Sequence, residues 1–325
     1  MDPPHATPDG QNTETFRGKG QEAAADPALS HNTPTFGAPD QPRFNPTVHA
    51  AEVIRLLAEH GIHCCLVGTK ALCYYGAPRL CMVRPCRPSP SLSHGRLSPD
   101  SSQTLEFCVP TDQLAAADAL FSSGPASTSY TAWRGHHPDA EARLPASLYH
   151  TFPRYLLNHR RPLFDFYLVP SADWRFDCTR ANFEYSAQAH LPYPKLHLFA
   201  QSLMERRSFN DLQDLVDGMD LAEAWGDENL RFDDLGEEYA RWVADKNDKI
   251  RAALPQEVRE HPMAVMFGTS MYEVPEGVPK FRGLFVNSVR TKEGRIGIEA
   301  PPGQYSTQYR EKGSPDPRTL VRFHV

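Results

Sequence analysis

The chain has 325 residues, 40% of them hydrophobic, with 30 prolines, a mean hydropathy of −0.52 and a formal charge of −6. That is enough apolar chain for one large domain or two ordinary ones, with much of the sequence left outside any core. The mild negative balance argues against a dedicated nucleic-acid surface, which needs a concentrated basic face, and no run of about eighteen apolar residues exists to cross a bilayer.

Taken in chain order, residues 1–44 are rich in Pro, Gly, Ala, Asp, Gln and Thr and carry few large apolar side chains. Such a segment buries too little surface to offset its ordering entropy, so a disordered tail is expected. Its beginning, MDPPHATPDGQNTETF, shows no charged-then-apolar leader pattern. Seven cysteines, odd in number and mostly within apolar runs, suit a reducing compartment. Together these features point to an intracellular protein, cytoplasmic or nuclear.

Asn45-Pro46 reads as a helix N-cap followed by proline at the first helical position. Ala50, Val53, Ile54 and Leu57 then recur at helical spacing, and Gly61 stands where a C-terminal cap belongs. A buried strand, Ile62–Val67, runs straight into Gly68-Thr69 and a short helix. Thr104–Pro110 is a second strand, with Thr104 and Glu106 on one face. Thr111 opens a helix that continues through Phe121, and Ser129–Trp133 is a strand candidate within a loop region. Leu163–Val169 is a third strand, with Asp165 set in an apolar context.

Farther on, Leu196, Phe199, Ala200 and Leu203 make one apolar helical stripe. Leu212, Leu215, Val216 and Met219 make a second, behind Asn210 as its cap. Leu235, Tyr239, Trp242 and Val243 continue a helical region to about Leu254. The Gly- and Pro-rich remainder offers one hairpin candidate, Leu284–Val289 with Arg295–Glu299 around Glu293-Gly294. The expected organisation is therefore a domain over 45–221, a helical extension over 222–262 and an irregular tail over 263–325.

Val83–Gln103 interrupts two segments that a tight connection ought to join, and ten of its residues are Ser or Pro. A surface insertion is one reading, since closure entropy grows slowly with loop length. The sharper reading is a translated retained intron. Val-Arg can be encoded by the donor-like GTACGT. Pro-Asp-Ser-Ser-Gln can be encoded by CCTGACTCTTCACAG, with a branch-point-like CTGAC ahead of a terminal CAG. Excision keeps the frame and joins Met82 directly to Thr104. The mature transcript across Met82–Thr104 discriminates the two, and no regular structure is expected there on either.

Two acids on alternate residues of one strand share a face and can clamp a divalent ion, with a third acid from a neighbouring strand to complete the cage, and a Gly-Thr turn at a helix start can offer backbone N–H groups to phosphate. The chain supplies Gly68-Thr69, Glu106 and Asp165. Each also has a plainer reading. Gly68 serves a strand-to-helix turn, Glu106 and Asp165 are salt-bridged or exposed-face acids, Lys70 is a solvent-facing lysine, and Arg79 is half of a structural ion pair. His60-x-x-His63 with Cys64-Cys65 contains metal-ligand residue types, but successive cysteines on a strand face opposite sides, which disfavours zinc. His136-His137 lacks a second pair at metal spacing. No G-x-S-x-G elbow occurs, and the Gly-Thr-Lys stretch lacks the upstream glycine of a Walker A loop. Tyr74, Tyr75, Phe164 and Phe166 read as core.

The segments VGTKALCYYGAPR, LEFCVPTDQLAAADALF, FDFYLVP, PYPKLHLFAQSL and NDLQDLVD, in that order over roughly residues 48–221, resemble the DNA polymerase β-type nucleotidyltransferase superfamily. The likeness is greatest to the small stand-alone members found in filamentous fungi. The resemblance implies an α+β fold, a nucleotidyltransferase-like mixed β-sheet flanked by helices with a helical C-terminal region. It casts Gly68, Thr69, Lys70 and Arg79 as nucleotide contacts and Glu106 and Asp165 as catalytic metal ligands. The cofactor would be Mg²⁺ and the substrate an NTP, whose nucleotidyl group passes to a hydroxyl acceptor. In this chain Thr104 stands where the family carries its first strand carboxylate, and Asp100 lies too far ahead of the strand to replace it. Two activities follow as expectations: metal-dependent nucleotidyl transfer, or a catalytically degenerate member that binds nucleotide or protein.

Overall fold

A computed structural model describes residues 46–77, 104–133, 148–158, 164–233, 235–253, 274, 277, 279–295 and 315–319. Every element below belongs to one compact unit, Phe44–Val325. The expectations for residues 1–44 and for Val83–Gln103 lie outside the described residues, as does Arg79.

Helix α1, Pro46–Glu59, starts on the predicted proline and buries Ala50, Val53 and Leu57 on one side. Burying a side chain such as Val53 or Leu57 contributes about 1.5–3 kcal/mol. Strand β1 is only Cys65–Leu66, shorter than the buried segment Ile62–Val67 around it. Its partner explains the truncation. Cys65 pairs with Cys108 and Leu66 with Phe107 in antiparallel register, so one further step would reach Val109 and then Pro110, which has no N–H to donate. Helix α2 is Gly68–Tyr74 and strand β2 is Leu105–Val109. After a single 3₁₀ turn come α3, Leu114–Ser122, and the short strands β3, Tyr130–Ala132, and β4, Arg154–Leu157. Strand β5 is Asp165–Pro170, and one turn of helix, α4, Ser171–Trp174, ends it.

These strands form one mixed sheet in the order β1-β2-β5-β4-β3, antiparallel throughout except for the central parallel pair β2–β5. Period-2 alternation gives the sheet two different faces. On one, Phe107, Phe166, Tyr155 and Tyr130 pack with Phe121 of α3 through tilted and edge-on ring contacts, and the His49 ring of α1 lies tilted against Phe164. The other face carries Thr104, Glu106, Cys108, Asp165 and Tyr167, and it is where the candidate site lies.

A small antiparallel ribbon, β6 Phe183–Tyr185 and β7 Pro192–Pro194, precedes the helical region. Helices α5, Leu196–Glu205, and α6, Phe209–Met219, match the two predicted apolar stripes. Helix α6 begins ahead of Asn210, with Ser208 in the capping position. Helices α7, Glu223–Asn229, and α8, Gly236–Ala253, follow.

The hairpin expected at Leu284–Val289 is not there. That stretch lies inside helix α9, Phe281–Arg290. Phe281 and Phe285 are fully buried, Ser288 is buried too, and the three sit at helical spacing. Arg282 pairs with Asp227 and Arg290 with Glu223, fastening the helix to α7. Residues 292–294 form a 3₁₀ turn, and residues 296–299 of the expected second strand lie outside the described residues. No helix among the described residues is long and apolar enough to cross a membrane.

Candidate functional site on the carboxylate face

The parallel register sets Glu106 opposite Tyr167, which places Asp165 on the same face, one pleat away and beside Thr104. The sheet thus brings together the two acids singled out in the sequence. Both are buried: Asp165 has no exposed surface and Glu106 only 4%. A buried carboxylate must be partnered, and the partners decide what these two can do.

Asp165 is held by Arg154, which sits on β4 opposite Tyr167. Arg154 Nε and Nη2 both donate to Asp165 Oδ2, at 2.8 and 2.5 Å, and Thr104 Oγ1 lies 3.1 Å from each carboxylate oxygen. The Arg154 guanidinium lies 5.2 Å from the ring centroids of both Trp133 and Tyr167. Glu106 Oε2 accepts a hydrogen bond from the Tyr149 hydroxyl, and Tyr149 packs edge-on against Tyr167 at 5.3 Å.

Gly68 completes this corner. Its φ is +61°, and a Cβ there would stand 2.6 Å from all three atoms of the Glu106 carboxylate group. Glycine is therefore required twice, by conformation and by space. Thr69 and Lys70 follow, half-buried, on the first turn of α2.

A second charged group adjoins the first. Asp173 on α4 binds Lys246 Nζ of α8 at 2.7 Å and Arg206 Nη2 at 3.2 Å. The Arg206 guanidinium lies 3.7 Å from the centroid of the Trp174 ring. Burial works against the Asp173 charge, but Lys246 and Arg206 hold its pKa below the ordinary value. Burial lowers the Lys246 pKa, against the pull of Asp173. For Arg206 burial works against the charge, but the carboxylates of Asp173 and Glu106 help to outweigh it and raise the pKa. Arg206 thus links the two groups electrostatically.

Two donors on these arginines, Arg154 Nη1 and Arg206 Nε, are buried without a hydrogen-bond partner among the described residues. Orphaned charged donors are costly. The Arg154 guanidinium lies over Tyr167, and Arg206 is within electrostatic reach of Tyr149, which packs on Tyr167.

The donor set does not fit a clamp for Mg²⁺. Mg²⁺ asks for hard oxygen ligands in a near-octahedral arrangement. Here one oxygen of Asp165 takes two N–H groups from a cation, and the neighbour on the same face is the neutral Thr104. A divalent ion would have to displace Arg154.

Neither Arg154 nor Tyr149 was singled out in the sequence, although both hold the site. The sulfur cluster of Cys65, Cys108 and Cys178 was missed as well. Cys65 was considered only beside Cys64, and its true neighbour is the residue across the ladder. A cleft of about 310 Å³ lies between Lys195, His197, Trp225, Asn229 and Arg318, and none of the acids above lines it. Compared with protein-family models, with curated proteins and with solved structures, the chain matches none.

Proposed function

We propose that this chain is a catalytically degenerate nucleotidyltransferase-like protein that binds a nucleotide without transferring it. The observation that carries this reading is the closure of Asp165 by the forked grip of Arg154 and by Thr104. A fixed cation stands where the resemblance would put a metal. The orphaned donors Arg154 Nη1 and Arg206 Nε favour an anionic ligand, since a phosphate oxygen would satisfy them. The strand-to-helix corner at Gly68 adds the local geometry that the resemblance associates with an NTP.

One observation favours the catalytic alternative: Glu106 and Asp165 share a face. Calorimetric titration with ATP and GTP, with and without Mg²⁺, paired with a pyrophosphate-release assay, separates the two. The expected result is binding that persists with EDTA and produces no pyrophosphate. Arg206→Met should weaken it more than about tenfold, the loss of a hydrogen bond to a charged group, and Glu106→Ala should leave it nearly unchanged. Turnover that Asp165→Ala abolishes and Thr104→Asp enhances would establish the enzyme instead.

A further inference from the structure

Three cysteines from three separate segments meet in the core at the end of the carboxylate face. Cys65 of β1 and Cys108 of β2 are directly opposed across the ladder. Cys178, in the irregular segment after α4, brings its sulfur to them, so that the three Sγ atoms lie within 4.8 Å of one another. All are unoxidised and buried, with exposures of 0%, 0% and 3%.

Buried free cysteines commonly act as small hydrophobes. Two features set this group apart. The first is polarity. In its thiol form Cys178 donates to the Cys108 carbonyl oxygen at 3.1 Å. The second is the charge around it. Arg206 lies within electrostatic reach of Cys108.

We propose that Cys65, Cys108 and Cys178 form a three-sulfur site for one soft d¹⁰ metal ion, Cu(I) in preference to zinc. Thiolates select soft ions of this kind. Zinc takes four ligands in structural sites, and among the described residues this group offers three metal-binding side chains, which suits a three-coordinate ion. Metal–sulfur bonds of about 2.3 Å would set the sulfurs about 4 Å apart, inside the 4.8 Å within which all three now lie. Each ligating thiol releases its proton to solvent as the bond to the metal forms, and the negative charge left on the sulfurs lies within electrostatic reach of Arg206.

The test uses the full chain with Cys81→Ser and Cys86→Ser, removing two cysteines outside the described residues. Cu(I) is titrated anaerobically against bicinchoninate, and zinc against a chromogenic chelator. One equivalent of Cu(I) should be retained, with a raised melting temperature. Cys178→Ser should lose more than about 100-fold in affinity, at least the loss that follows from removing a mere supporting contact, while Cys73→Ser should retain both effects. X-ray absorption on the Cu(I)-loaded Cys81→Ser/Cys86→Ser protein, which needs no change in the cluster, should show a shell of three sulfurs. A nitrogen or oxygen shell, unchanged affinity in Cys178→Ser, or retention of neither ion overturns the site. Retention of zinc alone overturns the choice of ion.

Discussion

Asp165 has a vanishing exposure and a forked arginine partner, so the two form a buried ion pair. Removing one member of such a pair costs about 3–5 kcal/mol, whereas replacing both by apolar groups is often neutral. Urea unfolding of Arg154→Met should therefore show a loss of that size, and Arg154→Met/Asp165→Leu should recover much of it. Equal losses in the two variants would mean that the pair is not the unit. At this scale the acids were legible and their partners were not. Alternation along TLEFCVP and FDFYLVP put Glu106 and Asp165 on defined faces. Nothing in the short run RYLL marks Arg154 as the residue whose strand returns beside β5. Tyr149 reaches Glu106 from a 3₁₀ turn 43 positions away, a contact that no local pattern encodes.

Helices were read well where the apolar spacing was complete within one window. Pro46 and the triad Ala50, Val53 and Leu57 defined α1. Helix α9 was misread because LFVNSV taken alone resembles strand alternation, while Phe281, which fixes the helical period with Phe285, lies just outside it. Its packing is also steric rather than merely apolar. A Cβ on Gly226 of α7 would stand 2.2 Å from the Phe285 ring, which is fully buried and has nowhere to turn. Gly226→Ala should lower stability by about 1–3 kcal/mol through overpacking. Gly294→Ala, with open space around its position, should stay within about 0.5 kcal/mol. Thermal unfolding of the two side by side checks the contrast, and similar losses would show that α7 and α9 can separate without cost.

Across the whole molecule, the Asp173–Arg206–Lys246 group joins the end of β5 to α5 and α8. The folded pKa of Asp173 lies below its ordinary value, so on acidification the unfolded chain takes up the proton first. The stabilisation is then complete above about pH 4 and is lost as the pH falls through the lower folded value. Melting curves between pH 7 and pH 3 should show a steeper acid loss for the wild type than for Asp173→Asn, and parallel slopes would remove Asp173 from the acid response. The general α+β plan was visible in the order of strands and helices. The sheet order was not, because β2 reaches β5 across the whole of α3, β3 and β4. That crossing has a consequence for any attempt to divide the protein. Glu106 is supplied before the excursion, Arg154 during it and Asp165 after it, and Cys178 comes later still. The carboxylate face and the sulfur triangle therefore share one seam, strand β2, which gives Glu106 to the first and Cys108 to the second. Neither can be excised as a fragment or grafted as a loop, and any damage to that seam disables both together.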